Sequence, residues 1–472
     1  MATPYDEIAY PTTAFRQTHP DRLATHAALF GLPFAPVAAC RVLDIGCGDG
    51  ANLIPMAVAY PGSQFVGFDL SERAIERGRE IVAALSLTNV RLEAQDLATA
   101  DFGAGSFDYV IAHGVYSWIP DAAREALMAS IRHHLAPHGV AFVSQNALPG
   151  GHVLQMIREM LLFHLRGVER PAARLAAATE GLRRMTETYS GDTPFERLVR
   201  TECEGLLSHP PGVLAHDQLS DAYHPVYLHQ FLDHAARHDL QFLTEAAPAR
   251  CGEGFRPPYA IDDADFDTLA HAQALDFQAL RTYRQNLLVH AGVALDRRPE
   301  PTRLRGLFAG TPARSVGPGV YEVGTLQFQL GDAALQQVVE RLSAAWPAAL
   351  PVAELIDDEE RLGALLRMYW TGALDLHSAP HPFSAKIAAR PAASPLARLQ
   401  AARGQRRLTT LRHAVVEIGD ETGLQFVASL DGMRTVEEIA ADVAAQLGQS
   451  AAQTAPTVAA KLDDLVRLAL LL

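Results

Sequence analysis

The stretch Val42-Leu43-Asp44-Ile45-Gly46-Cys47-Gly48-Asp49-Gly50 decides how the rest of the chain is read. Arg41 to Ile45 is a short, largely apolar run of strand type, and glycine then falls at every second position, 46, 48 and 50. Asn52 to Tyr60 reads as a helix. A strand that turns abruptly into a helix leaves backbone N–H groups uncovered, and glycine lets a ligand lie directly on that backbone. The spacing by itself also suits dinucleotide folds. Asp44 leans away from them: an acid two residues before the first glycine attracts a cationic ligand and repels a pyrophosphate.

Gln64 to Phe68 predicts a second strand with Asp69 at its end, placed to accept both hydroxyls of a ribose. Asn89 to Glu93 predicts a third, followed by Gln95-Asp96-Leu97, where an acid beside an apolar residue can hold an adenine amino group and cover its ring. Phe107 to Ala112 and Val140 to Ser144 are the fourth and fifth strands. Glu72–Leu85 and Asp121–Leu135 are intervening helices, with right-handed crossovers expected. Any one of the three acids also reads as an ordinary helix N-cap. Three in register with a glycine loop mark the ligand crevice of a doubly wound sheet.

VLDIGCGDG, VGFDLS, AQDL and FDYVIAHGVYSWIP together resemble the successive motifs of class I S-adenosylmethionine-dependent methyltransferases, over roughly residues 38 to 145. The resemblance implies S-adenosylmethionine as cofactor and S-adenosylhomocysteine as product. It puts Asp44, Gly46, Cys47, Gly48 and Gly50 at the methionine end, Asp69 with Leu70 at the ribose, Asp96 with Leu97 at the adenine, and His113 beside the cofactor. YDEIAYP…FRQTHPDRLATHAALFGL, with HGVYSWIP and NALPGGH, is similar to the group carrying a methyltransferase regulatory domain, which includes the rickettsial-type protein lysine methyltransferases. That likeness implies a lid over the cofactor from Tyr5 to Gly31, bearing Tyr10, Phe15, Gln17 and His19. Packing of Phe15 and Leu23 against the sheet is compatible with it.

The fourth strand runs into His113-Gly114-Val115-Tyr116-Ser117-Trp118-Ile119-Pro120, where class I enzymes release the methyl group. Tyr116 and Trp118 can line a slot for an amine by cation–π contact, or simply cap the sheet. His113 and Asn146 complete the expected acceptor pocket. Pro149-Gly150-Gly151-His152 forms the opposite wall. The family often has an aromatic residue where this chain has Gly151, which opens the pocket. Tyr116, His113 or a water can take the proton that a lysine must lose, so no catalytic residue is assigned.

With 472 residues, 49% hydrophobic and 20% charged, the chain is expected to be globular and multidomain. MATPYDEIAYP lacks a basic n-region and no apolar run approaches about 20 residues. Neither a signal peptide nor membrane insertion is expected, and a cytoplasmic protein is. Cysteines 40, 47, 203 and 251 form no CxxC pair, so neither a zinc site nor a disulfide framework is indicated. A net charge of −14 argues against a nucleic-acid binder. Lys386 and Lys461 are the only lysines among 40 basic residues, which coding bias explains more simply than avoidance of self-methylation. His234 and His238 sit at i, i+4, a spacing that can ligate metal. There is no HExxH pattern, so stacked or solvated rings are expected and no metal is assigned.

The expected architecture is α/β: a doubly wound seven-stranded sheet with a helical insertion, plus C-terminal winged-helix-like modules. Residues 1–151 form the lid and cofactor-binding half. Residues 152–212 form the insertion (helices His152–Gly167, Ala172–Tyr189 and Pro194–Leu207). Residues 213–295 are the regulatory region that completes the sheet, with a helix at Val226–His238 and strands at Leu240–Leu243 and Arg284–Val289. After Arg298-Pro299-Glu300-Pro301, residues 302–380 are a middle module with a strand over Val320–Phe328 and helices over Ala333–Ala345 and Glu354–Trp370. Residues 381–412 are a solvated basic linker and 413–472 the last module, of similar element order. The helix Thr435–Leu447 carries Glu437, Glu438 and Asp442, so the modules are expected to contact protein and not DNA. The expected function is methylation of a lysine nitrogen in a polypeptide. A small-molecule or natural-product acceptor is the second reading, and a non-enzymatic S-adenosylmethionine-binding regulator the third. No oligomeric state is assigned.

Overall fold

Apolar runs long enough to be buried on both faces build the centre of the molecule. The computed structural model describes residue 8 and residues 10–247, 268–297, 299–381 and 383–472; Tyr5, Cys251 and Arg298, named above, lie outside them. Strands β1 (Arg41–Ile45), β2 (Gln64–Asp69), β3 (Val90–Ala94), β4 (Phe107–Ala112), β5 (Leu135–Asn146), β6 (Leu240–Glu245) and β7 (Tyr283–His290) form one sheet in the order β3-β2-β1-β4-β5-β7-β6. The first five run parallel and β7 is antiparallel to both β5 and β6. Val42, Leu43, Val110, Ile111, Val140 and Phe142 are fully buried, as a parallel sheet covered on both faces requires. Strand order reverses between β1 and β4, so the crevice opens at their carboxyl ends.

Helices α1 (Pro20–Leu29) and α2 (Ile54–Ala59) cover one face, with Ile75 of α3 (Glu72–Ala84). Helix α4 (Asp121–His134) covers the other. Polar caps set their starts: Ser71 Oγ accepts the Ala74 N–H, and His19 Nδ1 accepts the Asp21 N–H. The expected insertion is present as α5 (Gly151–His164), α6 (Pro171–Thr188) and α7 (Pro194–Ser208). They enclose their own core of Ile157, Leu161, Leu182, Val199 and Cys203, and a capping box of Thr193 with Glu196 opens α7. One π-helical turn, Leu214–Gln218, leads to α8 (Leu228–Arg237), whose Phe231 joins α4 on the sheet. Helix α9 (Thr268–Gln278) precedes β7.

Beyond residue 300 the structure departs from several expectations. The middle module has six short strands and two helices, α10 (Ala333–Ala345) and α11 (Glu359–Thr371), whereas the last module has one hairpin and four helices. The common element order is not reproduced. Val320–Phe328 is a hairpin, Val320–Val323 paired with Leu326–Gln329, because Gly324 turns at φ +58°. The basic linker contains a helix, Pro395–Ala402, whose Leu396, Ala397 and Ala401 are buried, while Ala393 and Ser394 bond backbone to Leu430 and Leu470. Most of 381–412 therefore belongs to the C-terminal module. Arg412 is not solvated: its side chain is buried against Asp375.

The sheet is complete by His290, but the core of the catalytic unit does not end at residue 295. Leu304, Leu307, Leu365 and Trp370 of the middle module share one continuous core with Leu23, Ala27, Leu29 and Phe30 of the α1 region. Arg22 donates to Tyr369 Oη at 2.8 Å, and Asp21 accepts from His377 Nδ1 and the Ser378 N–H, both at 2.7 Å. Burial of one large apolar side chain stabilises by about 1.5–3 kcal/mol, so uncovering this face costs more than a domain's usual margin. A chain ended after Leu295 is expected to lose its cooperative thermal transition and aggregate. Calorimetry showing a sharp melt near that of the full chain would contradict the shared core.

Candidate cofactor and acceptor site

The glycine turn is held by β2. Gly46 and Cys47 N–H both donate to the Phe68 carbonyl, at 2.9 and 3.1 Å, and Gly48 N–H donates to Asp69 Oδ2 at 2.9 Å. Gly46, Gly48 and Gly50 all have positive φ (74°, 58° and 75°). A Cβ on Gly46 would lie 2.7 Å from Val115 Cγ2, so the turn also needs glycine for space. Cys47 is a packing residue: its sulfur would lie 2.8 Å from a Cβ on Gly67, and burial pushes its thiol well up.

Asp44 is buried at the foot of the turn, and burial pushes its carboxyl up to about 7 despite a 3.4 Å hydrogen bond from Asn52 Nδ2. A carboxylate so desolvated calls for a cation. Burial also raises Asp69, against the hydrogen bonds it accepts from the Ser71 and Gly48 N–H groups. Leu70 is exposed, and Leu97 is half-buried against the α4 side of the core. Asp96 is exposed and caps the turn at Ala98 N–H (2.9 Å). The structure thus gathers Asp44, the three glycines and Asp69 into one cradle, with Asp96 and Leu97 following β3.

The N-terminal segment lies on this cradle. Thr12 Oγ1 donates to Asp49 at 2.9 Å and Phe15 N–H to Asn52 Oδ1 at 3.0 Å. The Phe15 ring stacks on His113 with centroids 3.8 Å apart; His113 stacks in turn on Phe142 at 5.8 Å, with Tyr283 Oη 3.5 Å from its Nε2. Tyr10 Oη donates to Asp217 Oδ2 at 3.3 Å. Gln17 is half-buried in the 3-10 turn that follows. His19 is a helix cap and not a covering residue. It is buried beside Tyr60 and His413, and burial lowers it to about 4.

The expected pairing of Tyr116 with Trp118 does not occur. Tyr116 is in the core, edge-on to Phe231 and hydrogen-bonded to His234 Nδ1 at 2.9 Å. Trp118 instead packs on Tyr223 with centroids 5.0 Å apart, and Asn146 lies beside that phenol. The Tyr223 hydroxyl is buried and makes no hydrogen bond of acceptable geometry, and a Cβ on Gly151 would lie 3.8 Å from it. Arg158 stacks over the same ring. Asn52, Asp217, Arg158 and Tyr223 were not singled out from sequence. A polar residue opening the helix after the glycine turn was a readable signal for Asn52. Tyr223 offered only an aromatic residue in a polar loop. At the i, i+4 histidine pair, Glu125 meets His238 Nε2 at 2.8 Å and His234 Nε2 at 3.3 Å, but Arg237 shares the carboxylate at 3.4 Å and supplies a cation already.

A parallel sheet with a glycine turn at the switch point, a buried acid below it and an acid at the next strand end defines a class I methyltransferase. Comparison agrees: residues 42–139 match the methyltransferase domain, 210–290 the predicted methyltransferase regulatory domain, and 389–469 the C-terminal winged helix domain of PKMT. The chain belongs to the S-adenosylmethionine-dependent methyltransferases that carry this regulatory domain. It is 34% identical over 240 residues to the uncharacterized protein RP028 of Rickettsia prowazekii, covering 51% of this chain and 96% of that one. It is 33% identical over 297 residues to RP789 of the same organism, covering 62% of this chain but spanning only about half, 54%, of that relative. PKMT2 from Rickettsia typhi has the same fold, with a TM-score of 0.85 at 24% identity over 98% of this chain and 100% of that one. Its complex with AdoHcy gives 0.84 at 24% identity, over 98% and 99%. S-adenosylmethionine is the cofactor, and the cradle fits it: bare glycine backbone, a buried carboxylate and a strand-end acid.

Because Asp44 keeps its proton to about pH 7 when folded and only to about pH 4 when unfolded, the unfolded chain releases a proton first. Stability therefore falls as pH rises through that window, by an amount on the order of a few kcal/mol. Asp44→Asn is expected to flatten this fall and raise the melting temperature at pH 8, while weakening affinity for S-adenosylhomocysteine. Scanning calorimetry at pH 5 and pH 8 with binding titrations checks both; an unchanged pH dependence would clear Asp44 of the strain.

Proposed function

We propose that this enzyme methylates the side-chain amine of lysine in a polypeptide. The observation that carries the reading is the wall of Trp118, Tyr223, Asn146 and Gly151 beside the carboxyl ends of β4 and β5. It combines aromatic faces with a buried, unpartnered phenol hydroxyl. Such a wall suits an aliphatic stem ending in one polar nitrogen. In the proposed cofactor arrangement Asp44 holds the ammonium, Asp69 the ribose hydroxyls, and Asp96 with Leu97 the adenine, while the glycine turn leaves room for the methionine end. Tyr10 and the Phe15–His113 stack exclude water from above.

When bound, S-adenosylmethionine would supply an electrophilic methyl group, transferred to a neutral amine by an in-line displacement in which the N–C bond forms as the C–S bond breaks and the S-adenosylhomocysteine thioether leaves. The chain's task is to present the nitrogen unprotonated and aligned. Desolvation between Trp118 and Tyr223 favours the neutral amine, and the Arg158 guanidinium over Tyr223 adds to that preference. Asp217, pushed by burial up to about 7 and hydrogen-bonded to Tyr10, is the carboxylate suited to take the proton near neutral pH. Tyr116 is excluded from that role by its place in the core. A net charge of −14 and a polypeptide acceptor fit a cytoplasmic enzyme that does not engage nucleic acid.

Methyl-labelled S-adenosylmethionine incubated with the enzyme and a bacterial lysate is expected to label protein, and acid hydrolysis to release the label as methyllysine. Label confined to small molecules would overturn the reading in favour of a metabolite acceptor. Two variants separate the aromatic residues. Trp118→Ala should lower turnover about a hundredfold with melting temperature and cofactor affinity kept. Tyr116→Ala should instead lose roughly 3–5 kcal/mol of stability. A Trp118→Ala enzyme that melts early and loses cofactor in proportion would return Trp118 to a packing role.

A further inference from the structure

The C-terminal module touches the cofactor cradle through the tip of its hairpin. Strands Arg407–Thr409 and Val415–Glu417 are joined by residues 410–414, closed by Thr410 N–H to the Ala414 carbonyl (2.8 Å) and His413 N–H to the Thr410 carbonyl (3.0 Å). Three successive side chains of this turn are buried against other parts of the molecule. Leu411 lines the junction with Tyr60 and Leu376. Arg412 reaches the middle module, bonding Asp375 at 3.0 Å and the Pro347 carbonyl at 2.7 Å over the Trp346 ring. His413, 4% exposed, reaches Asn52 Oδ1 at 2.9 Å. His413 holds φ +56°, uncommon for a residue with a Cβ and maintained only where surroundings over-determine it.

The orientation of Asn52 follows from its partners. Phe15 N–H can only donate, so the atom it meets at 3.0 Å is the amide oxygen. His413 must then present Nε2–H to that oxygen, and burial keeps the ring neutral. Thr18 Oγ1, 3.1 Å from the same oxygen, has the Phe15 carbonyl at 2.8 Å to receive its single hydrogen. With both lone pairs of the oxygen occupied, the NH2 group is left facing Asp44 Oδ2 at 3.4 Å.

We propose that His413 is a positioning residue for the cofactor: from the C-terminal module it fixes the Asn52 amide, which orients Asp44 and anchors the covering segment at Phe15. Cofactor occupancy and docking of the hairpin tip are then thermodynamically linked, each strengthening the other by the same factor. The proposal rests on the cofactor assignment and not on the nature of the acceptor, so loss of the lysine reading leaves it standing.

The test compares His413→Gln, whose amide NH2 can replace the Nε2–H donor, with His413→Leu, similar in bulk but without a donor. Both are made in the full-length chain and titrated with S-adenosylhomocysteine by calorimetry, with melting temperature measured alongside. The expected result is affinity near the native value for His413→Gln and about ten- to a hundredfold weaker for His413→Leu, since one of the two donors that fix the buried Asn52 oxygen is then lost and only the Phe15 N–H remains. Equal affinities in the two variants would overturn the proposal. Should His413→Leu fail to fold, amide hydrogen exchange on the native protein decides it. Adding S-adenosylhomocysteine should slow exchange across residues 407–417, and unchanged rates there would overturn the proposal.

Discussion

The turn at the end of β1 constrains everything around it. Three of its amides are spent on β2: two on the Phe68 carbonyl and one on Asp69. That choice locks β1 against β2, starts α2 on the sheet face it covers and leaves Asp44 buried below the turn. It also sets Asn52 where the chain re-enters helix, within reach of Phe15, Thr18 and His413. One side-chain amide thereby joins the cradle, its cover and the C-terminal module, the last of these 361 residues away in sequence.

A second knot is electrostatic. Asp375 of the middle module is contacted by Arg16 (2.5 Å), Arg22 (3.9 Å) and Arg412 (3.0 Å), which come from the covering segment, α1 and the hairpin tip. These three cations hold its carboxyl far below the usual carboxylate range although burial opposes them. A buried charge with its partners removed costs about 3–5 kcal/mol, so the three parts are held together more firmly than surface ion pairs would hold them. Asp21, with His377 and Ser378, repeats the arrangement a few residues away.

The cofactor half was legible because its determinants are local. Continuous apolar strands reveal a sheet covered on both faces, and glycine spacing with strand-end acids marks the crevice within single motifs. The proposed acceptor wall was legible only in part. Trp118, Asn146 and Gly151 were marked through the family motifs, whereas Tyr223 was not; the four come from separate loops and helix starts, and no periodicity relates them. Tyr116 and Trp118, two apart in an irregular loop, carry no rule for which turns inward; the hydroxyl of Tyr116 found His234, and that settled it. The basic stretch 381–412 resembled a linker because its helix is short and buries only Leu396, Ala397 and Ala401, a weak apolar pattern. Gly324 was the visible clue that Val320–Phe328 folds back on itself.

The shared core of α1 and the middle module has a consequence for the order of events on the ribosome. Leu29 and Phe30 emerge about 275 residues before Leu304, which later packs in the same core. At about 5–20 residues per second, that apolar face waits roughly 15–55 s for its partner, far longer than hydrophobic collapse takes. The part of α1 that the middle module covers therefore stays exposed through more than half of the chain's synthesis, sheltered only by the sheet face on its other side.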